Sequence, residues 1–177
     1  FKGQIIHPQH WPEGLEYAGK KVVVIGSGAT AVTIVPVMAE EGADVTMLQR
    51  SPTYMVSRPA RDPFANNLRK FLPEKLAYAI TRWKNINHQR FTYWYARRSP
   101  AKLGEKLVDM ARQELPETID VDKHFVPKYG PWEQRLCLVP DSDMFKAISS
   151  GKAKVVTDHI DKFTKTGIQL KSGEHLD

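Results

Sequence analysis

The segment Lys21-Val22-Val23-Val24-Ile25-Gly26-Ser27-Gly28-Ala29-Thr30-Ala31 decides the fold. The apolar run Val22 to Ile25 reads as a strand. Gly26 to Ala31 follows it as G-x-G-x-x-A and leads into a helical stretch, the strand–turn–helix context a dinucleotide-binding turn requires. Gly26 allows the tight turn, Gly28 lets a pyrophosphate approach the backbone, and Ala31 is small enough for close helix–strand packing. The free N–H groups at the helix start form an anion site. Gly26, Ser27, Gly28, Ala29, Thr30 and Ala31 are therefore candidate cofactor-binding residues, set against the plainer reading of a bare tight turn.

Outward from this turn, a helix is expected from about Thr30 to Glu41. Val32, Ile34, Val35, Val37 and Met38 make it largely buried, Pro36 should bend it, and Gly42 is a plausible C-terminal cap. Ala43 to Leu48 reads as a second strand, so the unit is a right-handed parallel β-α-β. The expected fold class is α/β: a Rossmann-like, three-layer domain over residues 21–177 with a parallel sheet. A helical insertion interrupts it at about 58–128. Prolines 59, 63, 73, 100 and 116 punctuate that region, with helices expected at Glu74–Trp83 and Lys102–Glu114. An aromatic cluster, Phe91, Tyr93, Trp94 and Tyr95, lies between them. Fifteen Lys/Arg against eight Asp/Glu place the basic excess there. Strand character resumes at Leu136–Val139, followed by a helix near Ser142–Ser149 and a strand at Lys154–Thr157. A hairpin is expected from Asp161–Phe163 and Gly167–Leu170, then a turn at Lys171–Glu174.

The chain has 177 residues and a formal net charge of +6, with a pI near 9.4. Such a balance favours an anionic partner, either a phosphorylated cofactor or nucleic acid. No apolar run is long enough to cross a bilayer, and no signal peptide is visible. A single cysteine, Cys137, precludes an internal disulfide and fits a reducing compartment, so a cytoplasmic location is expected. The start at Phe1 and the end just past a hairpin-like segment read as a piece of a larger protein. No His, Cys, Asp and Glu spacing suggests a metal site.

The residue ending the second strand selects the dinucleotide, an acid marking NAD and a base NADP. Here the strand ends Leu48-Gln49-Arg50-Ser51-Pro52. Arg50 presents a planar fork to phosphate oxygens and Ser51 a hydroxyl, which points to NADP(H) and away from FAD at this turn.

Three separated motifs resemble one family. Phe1, Gly3, His7, Trp11 and Pro12 match the Baeyer–Villiger monooxygenase signature F-x-G-x-x-x-H-x-x-x-W-[P/D]. Gln49-Arg50-Ser51-Pro52 is similar to the family's Q-R-[ST]-P stretch. Tyr129-Gly130-Pro131-Trp132-Glu133-Gln134-Arg135-Leu136-Cys137 resembles the segment carrying its active-site arginine. The resemblance covers essentially the whole chain. It implies the NADPH domain of an FAD- and NADPH-dependent monooxygenase, with the FAD site mostly outside this chain. In that family NADPH reduces FAD, and one oxygen atom of O₂ is inserted beside a ketone carbonyl or added to a sulfide or amine. The remaining FAD domain would be the partner, and this piece would be inactive alone. Residues 1–20 would be an inter-domain linker in which His7 and Trp11 couple domain rotation to cofactor position. By carry-over, Arg135 is the catalytic residue, its permanent charge stabilising negative charge developing at the flavin. Gln49, Arg50, Ser51 and Gln134 join the cofactor-binding candidates. Gln134 stands where some family members have a lysine, which leaves more of the NADP selectivity to Arg50. Two other readings are a plain NADP-dependent flavin reductase or dehydrogenase and a basic nucleic-acid-binding module built on the aromatic insertion. The first lacks a Tyr-x-x-x-Lys pair. The second would need aromatics that stack bases rather than form a small core.

Overall fold

The structure is a computed structural model describing residues 1–177. The strands are β1 (Lys21–Ile25), β2 (Asp44–Gln49), β3 (Tyr54–Arg58), β4 (Leu136–Pro140), β5 (Ala153–Thr157), β6 (Ile160–Phe163), β7 (Ile168–Leu170) and β8 (His175–Leu176). The helices are α1 (Ala29–Glu40), α2 (Pro63–Phe71), α3 (Glu74–Arg98), α4 (Pro100–Glu114), α5 (Val121–Phe125) and α6 (Asp143–Ser149).

The run Val22–Ile25 does become a strand, and β2 pairs in parallel with β1 on one side and β5 on the other. Strand alternation then sorts side chains into two cores. Val22 and Val24 of β1, Val45 and Met47 of β2 and Val155 of β5 pack with Val32, Val35 and Met38 of α1 and with Met144, Phe145 and Ile148 of α6. Val23, Leu48 and Val156 face the other way, onto Ile168 and Leu170 of β7. The expected three layers are present, but the layer opposite the helices is an antiparallel sheet, β6-β7-β8.

α1 ends on a glycine for a geometric reason. Gly42 lies at φ 94, its N–H donates to the Ala39 carbonyl, and the Ala43 N–H donates to the Met38 carbonyl. This double closure satisfies the last helical carbonyls and needs the left-handed backbone that glycine adopts freely. The helix runs through Pro36, whose ring is buried in the core and whose missing N–H removes one internal bond.

The structure departs from the sequence reading of this region in two ways. First, Tyr54–Arg58, assigned to no element there, is β3, and it pairs in parallel with β4 from Tyr54↔Leu136 to Arg58↔Pro140. The helices α2 to α5 are thus bracketed by two paired strands. Second, the helix expected at Glu74–Trp83 does not stop there. It continues as one 25-residue helix to Arg98, because neither Gly nor Pro occurs between Glu74 and Arg98. The aromatic cluster lies on its surface, with Phe91 stacked near Trp94 at 5.8 Å and Tyr95 at 6.5 Å, the spacing of i,i+3 and i,i+4 neighbours. Asp62 caps α2 by accepting from Phe64 N at 2.9 Å and Ala65 N at 3.3 Å, and it also holds Lys84 of α3 at 3.0 Å. No helix is long and apolar enough to cross a membrane.

In the antiparallel sheet, β8 approaches β7 so closely at Gly167 that a Cβ there would overlap the Leu176 carbonyl oxygen. Because backbone rather than a flexible side chain blocks it, Gly167→Ala must push the strands apart. We expect a loss of about 1–3 kcal/mol, read as a lowered thermal midpoint.

Candidate functional site: a glycine turn facing a cationic cavity

The carboxyl ends of β1, β2 and β5 open onto a cavity of about 420 Å³. Its walls include Gly26 and Ser27 of the turn, Arg50 and Ser51 after β2, Arg135 before β4, Asp158 and His159 after β5, and Lys171 after β7. Open parallel sheets bind ligands at this end of their strands.

Gly26 lies at φ 121, a backbone that side chains rarely adopt, and its N–H donates to the Leu48 carbonyl at 2.7 Å, pinning the turn to β2. Gly28 has an ordinary φ of −81, and its constraint is space. A Cβ at Gly28 would sit 2.9 Å from Nη1 of Arg135, so the guanidinium lies directly against the glycine turn. Two residues 107 positions apart in sequence, both singled out beforehand, are thereby brought together.

Arg135 is positioned through its backbone and neighbours. Tyr129 donates its hydroxyl to the Arg135 carbonyl at 2.8 Å, and Tyr54 donates to the Tyr129 carbonyl at 2.9 Å with the two rings edge to face. Burial raises the Tyr54 phenol above its ordinary value, keeping it a donor. Cys137, buried and raised by desolvation, donates its thiol to the Ser27 carbonyl at 3.7 Å, tying β4 to the turn. The Ser27 hydroxyl lies 3.1 Å from that of Thr53, so it is already partnered within the protein.

The remaining candidates divide. Arg50 and Ser51 are exposed on the cavity wall. Ala29 and Thr30 are exposed in the first turn of α1, while Ala31 is buried in the core, as close helix–strand packing demands. Gln49 is corrected: it is 1 % exposed and does not line the cavity. Its Nε2 donates to the His124 carbonyl at 2.7 Å and to Thr157 Oγ1 at 2.9 Å, so it fastens β2 to α5 and β5. Its Oε1 has no partner. Gln134 is likewise absent from the wall, and it is exposed. It lies in the bend just before β4, next to Arg135. Asp158, His159 and Lys171 were not anticipated. The signal was available: they follow strands of the same sheets, and ligands collect at strand carboxyl ends.

In the leading segment, His7 accepts from Gln9 N at 3.3 Å, and Trp11 packs edge to face on Tyr17, whose hydroxyl bonds Glu41 at the end of α1.

His124 Nδ1 lies 2.7 Å from Thr157 Oγ1, completing the network that begins at Gln49. With Thr157 accepting from Gln49, its own proton is free for a neutral imidazole. Burial, with Lys123 adding to it, holds His124 below its ordinary value of about 6.5. The unfolded chain therefore binds the proton first, and the folded state loses stability as pH falls below about 6.5 toward the folded value. In His124→Asn, thermal midpoints measured from pH 7 down to 5.5 should fall less steeply than in the unsubstituted chain.

The sequence model of the flavin-binding monooxygenase-like family matches residues 1–125. The chain is 58% identical over 177 residues to the FAD-containing monooxygenase EthA of Mycolicibacterium smegmatis, covering 99% of this chain and 36% of that protein. It is 57% identical to the probable FAD-binding monooxygenase AlmA of Acinetobacter baylyi, covering 100% of this chain and again 36% of the relative. Among solved structures, the fold is similar to an oxidised steroid monooxygenase bound to NADP. The TM-score is 0.74 at 19% identity, over 100% of this chain and 40% of that one. It is also similar to cyclohexanone monooxygenase from Rhodococcus sp. Phi1 bound to NADP+, with TM-score 0.69 at 19% identity, over 99% and 40% of the two chains. The chain belongs to the flavin-binding monooxygenase-like family. It spans little more than a third of the length of the curated relatives it matches.

Proposed function

We propose that this chain is the NADP(H)-binding portion of an FAD-dependent monooxygenase. One observation carries the reading: the Arg135 guanidinium lies against Gly28 of the nucleotide turn, in a cavity that also holds Arg50. The residues fit a phosphorylated dinucleotide. Gly26 supplies the left-handed turn, the space that a Cβ would fill at Gly28 is taken by the Arg135 guanidinium, and Arg50, Arg135 and Lys171 engage in no ion pair.

When bound, NADPH would supply the hydride that reduces an FAD held by the rest of the protein. Gly26 to Gly28 and the start of α1 would hold the pyrophosphate through backbone N–H groups. Arg50, with Ser51 beside it, would take the 2′-phosphate and so choose NADPH over NADH. Arg135 would offer a positive charge where negative charge develops during oxygen transfer. Tyr54, Tyr129 and Cys137 position it. Residues 1–20 would link this domain to the FAD domain, and residues 21–177 would form the NADP domain, with the helical insertion inside it. A ketone, sulfide or amine is the substrate class, with O₂ as co-substrate, in a cytoplasmic enzyme.

Titrating the chain with NADPH and NADH tests the cofactor reading. Arg50→Ala should weaken NADPH binding about tenfold and leave NADH unchanged. An unaltered NADPH preference would overturn the assignment. In the full-length protein, Arg135→Ala should cut ketone-dependent NADPH oxidation by about a hundredfold or more. Oxygenation at an undiminished rate would remove Arg135 from the chemistry.

A further inference from the structure

Lys171 lies in the turn after β7, far in sequence from the glycine motif, yet it lines the same cavity as Arg50. A chain of hydrogen bonds puts it there. The Asp158 N–H donates to the Gln49 carbonyl at 3.0 Å, fixing the end of β5 beside the end of β2. The Lys171 N–H donates to the His159 carbonyl at 2.9 Å, and the Ser172 N–H donates to Asp158 Oδ2 at 3.1 Å. Asp158, His159 and Lys171 are thus tied to the end of β2 that leads into Arg50, while the Lys171 side chain makes none of those bonds.

The Asp158 carboxylate lies in this wall and keeps its negative charge there, while its oxygens are used structurally. Ser172 and the His159 N–H, at 2.6 Å, donate to its two oxygens and hold it well below the usual carboxylate range. It serves to dock the turn that carries Lys171. Lys171 itself has no carboxylate partner, unlike Lys84 and Lys154, which are paired with Asp62 and Asp44. At the same time Gln134 does not line the cavity.

We propose that Lys171 is a second NADP-selecting residue, whose ammonium shares the 2′-phosphate of the dinucleotide with Arg50. The inference rests on the NADP(H) reading above and adds a determinant to it. A flexible ammonium from the β7–β8 turn complements the planar fork of Arg50, bringing charge rather than bidentate geometry.

The test compares 2′,5′-ADP with 5′-ADP, two probes that differ only by the 2′-phosphate, by calorimetric titration of the chain. Lys171→Met should raise the dissociation constant for 2′,5′-ADP about fivefold and leave 5′-ADP unchanged, the scale expected of an exposed charge contact. Lys171→Arg should retain the preference. Equal discrimination in Lys171→Met and the unsubstituted chain would overturn the proposal. If Arg50→Ala abolishes discrimination while Lys171→Met leaves it intact, the NADP(H) reading stands and this inference alone falls. If the unsubstituted chain binds neither probe, both fall.

Discussion

Because β2 is hydrogen-bonded in parallel to β1 on one side and β5 on the other, three strand ends reach the same edge of the sheet. Each then releases a segment that lines the cavity: Gly26-Ser27 after β1, Arg50-Ser51 after β2, Asp158-His159 after β5. A one-residue slip of β2 would exchange its two faces, moving Met47 and Val45 out of the main core and Leu48 into it. Register is therefore fixed by burial on both faces, since Val45, Met47 and Leu48 are each 2 % exposed or less. Buried Gln49 extends the same control past the last rung. Its amide fastens the strand end to Thr157 and to the His124 carbonyl, so the backbone leading to Arg50 starts from a fixed point.

The helical insertion is accommodated without disturbing this sheet. β3 leaves after Thr53 and β4 returns beside it, and their parallel pairing closes the long excursion at its base. That closure delivers Arg135. It directly precedes β4 and lies against Gly28, while Cys137 in the same strand reaches the Ser27 carbonyl. A guanidinium this close to a glycine turn illustrates why the second glycine matters even before any nucleotide binds. The space above its Cα is needed by the protein's own charge, and a ligand phosphate would meet the turn and the arginine together.

Local pattern was sufficient wherever one short segment determined its own structure. Val22–Ile25, the glycine turn, the helix ending at Gly42 and the hairpin from Asp161 to Leu170 all follow from periodicity and turn chemistry. What escaped was set by distant partners. Tyr54–Arg58 is a strand because Leu136–Pro140 pairs with it, and nothing in five residues announces that. α3 was cut short because aromatic residues suggested a separate cluster, although an unbroken stretch without Gly or Pro favoured continuation. Gln49 and Gln134 were placed at the site by motif adjacency to Arg50 and Arg135. Adjacency in sequence does not fix which side chains face one cavity: Gln49 is buried under β2 while Arg50, the next residue, lines the cavity. The wall formed by Asp158, His159 and Lys171 required knowing that β5 lies next to β2.

The net charge of +6 suggested an anionic ligand, but overall charge is a poor guide to where one would bind. Most of the basic excess lies in the insertion, and several cations are already neutralised. Arg112 is held by Asp109 and Asp122 at 3.0 and 2.8 Å, Lys84 by Asp62, and Lys154 by Asp44. A paired cation offers an incoming phosphate only the difference between two partners, whereas an unpaired one offers its whole interaction. Arg50, Arg135 and Lys171 are unpaired and share one cavity, and the carboxylate among them is occupied by backbone donors. Three convergent cations, none in an ion pair, outnumber the one carboxylate beside a left-handed glycine turn, and this is a local electrostatic arrangement. It would persist if every charge on α2 and α3 were removed.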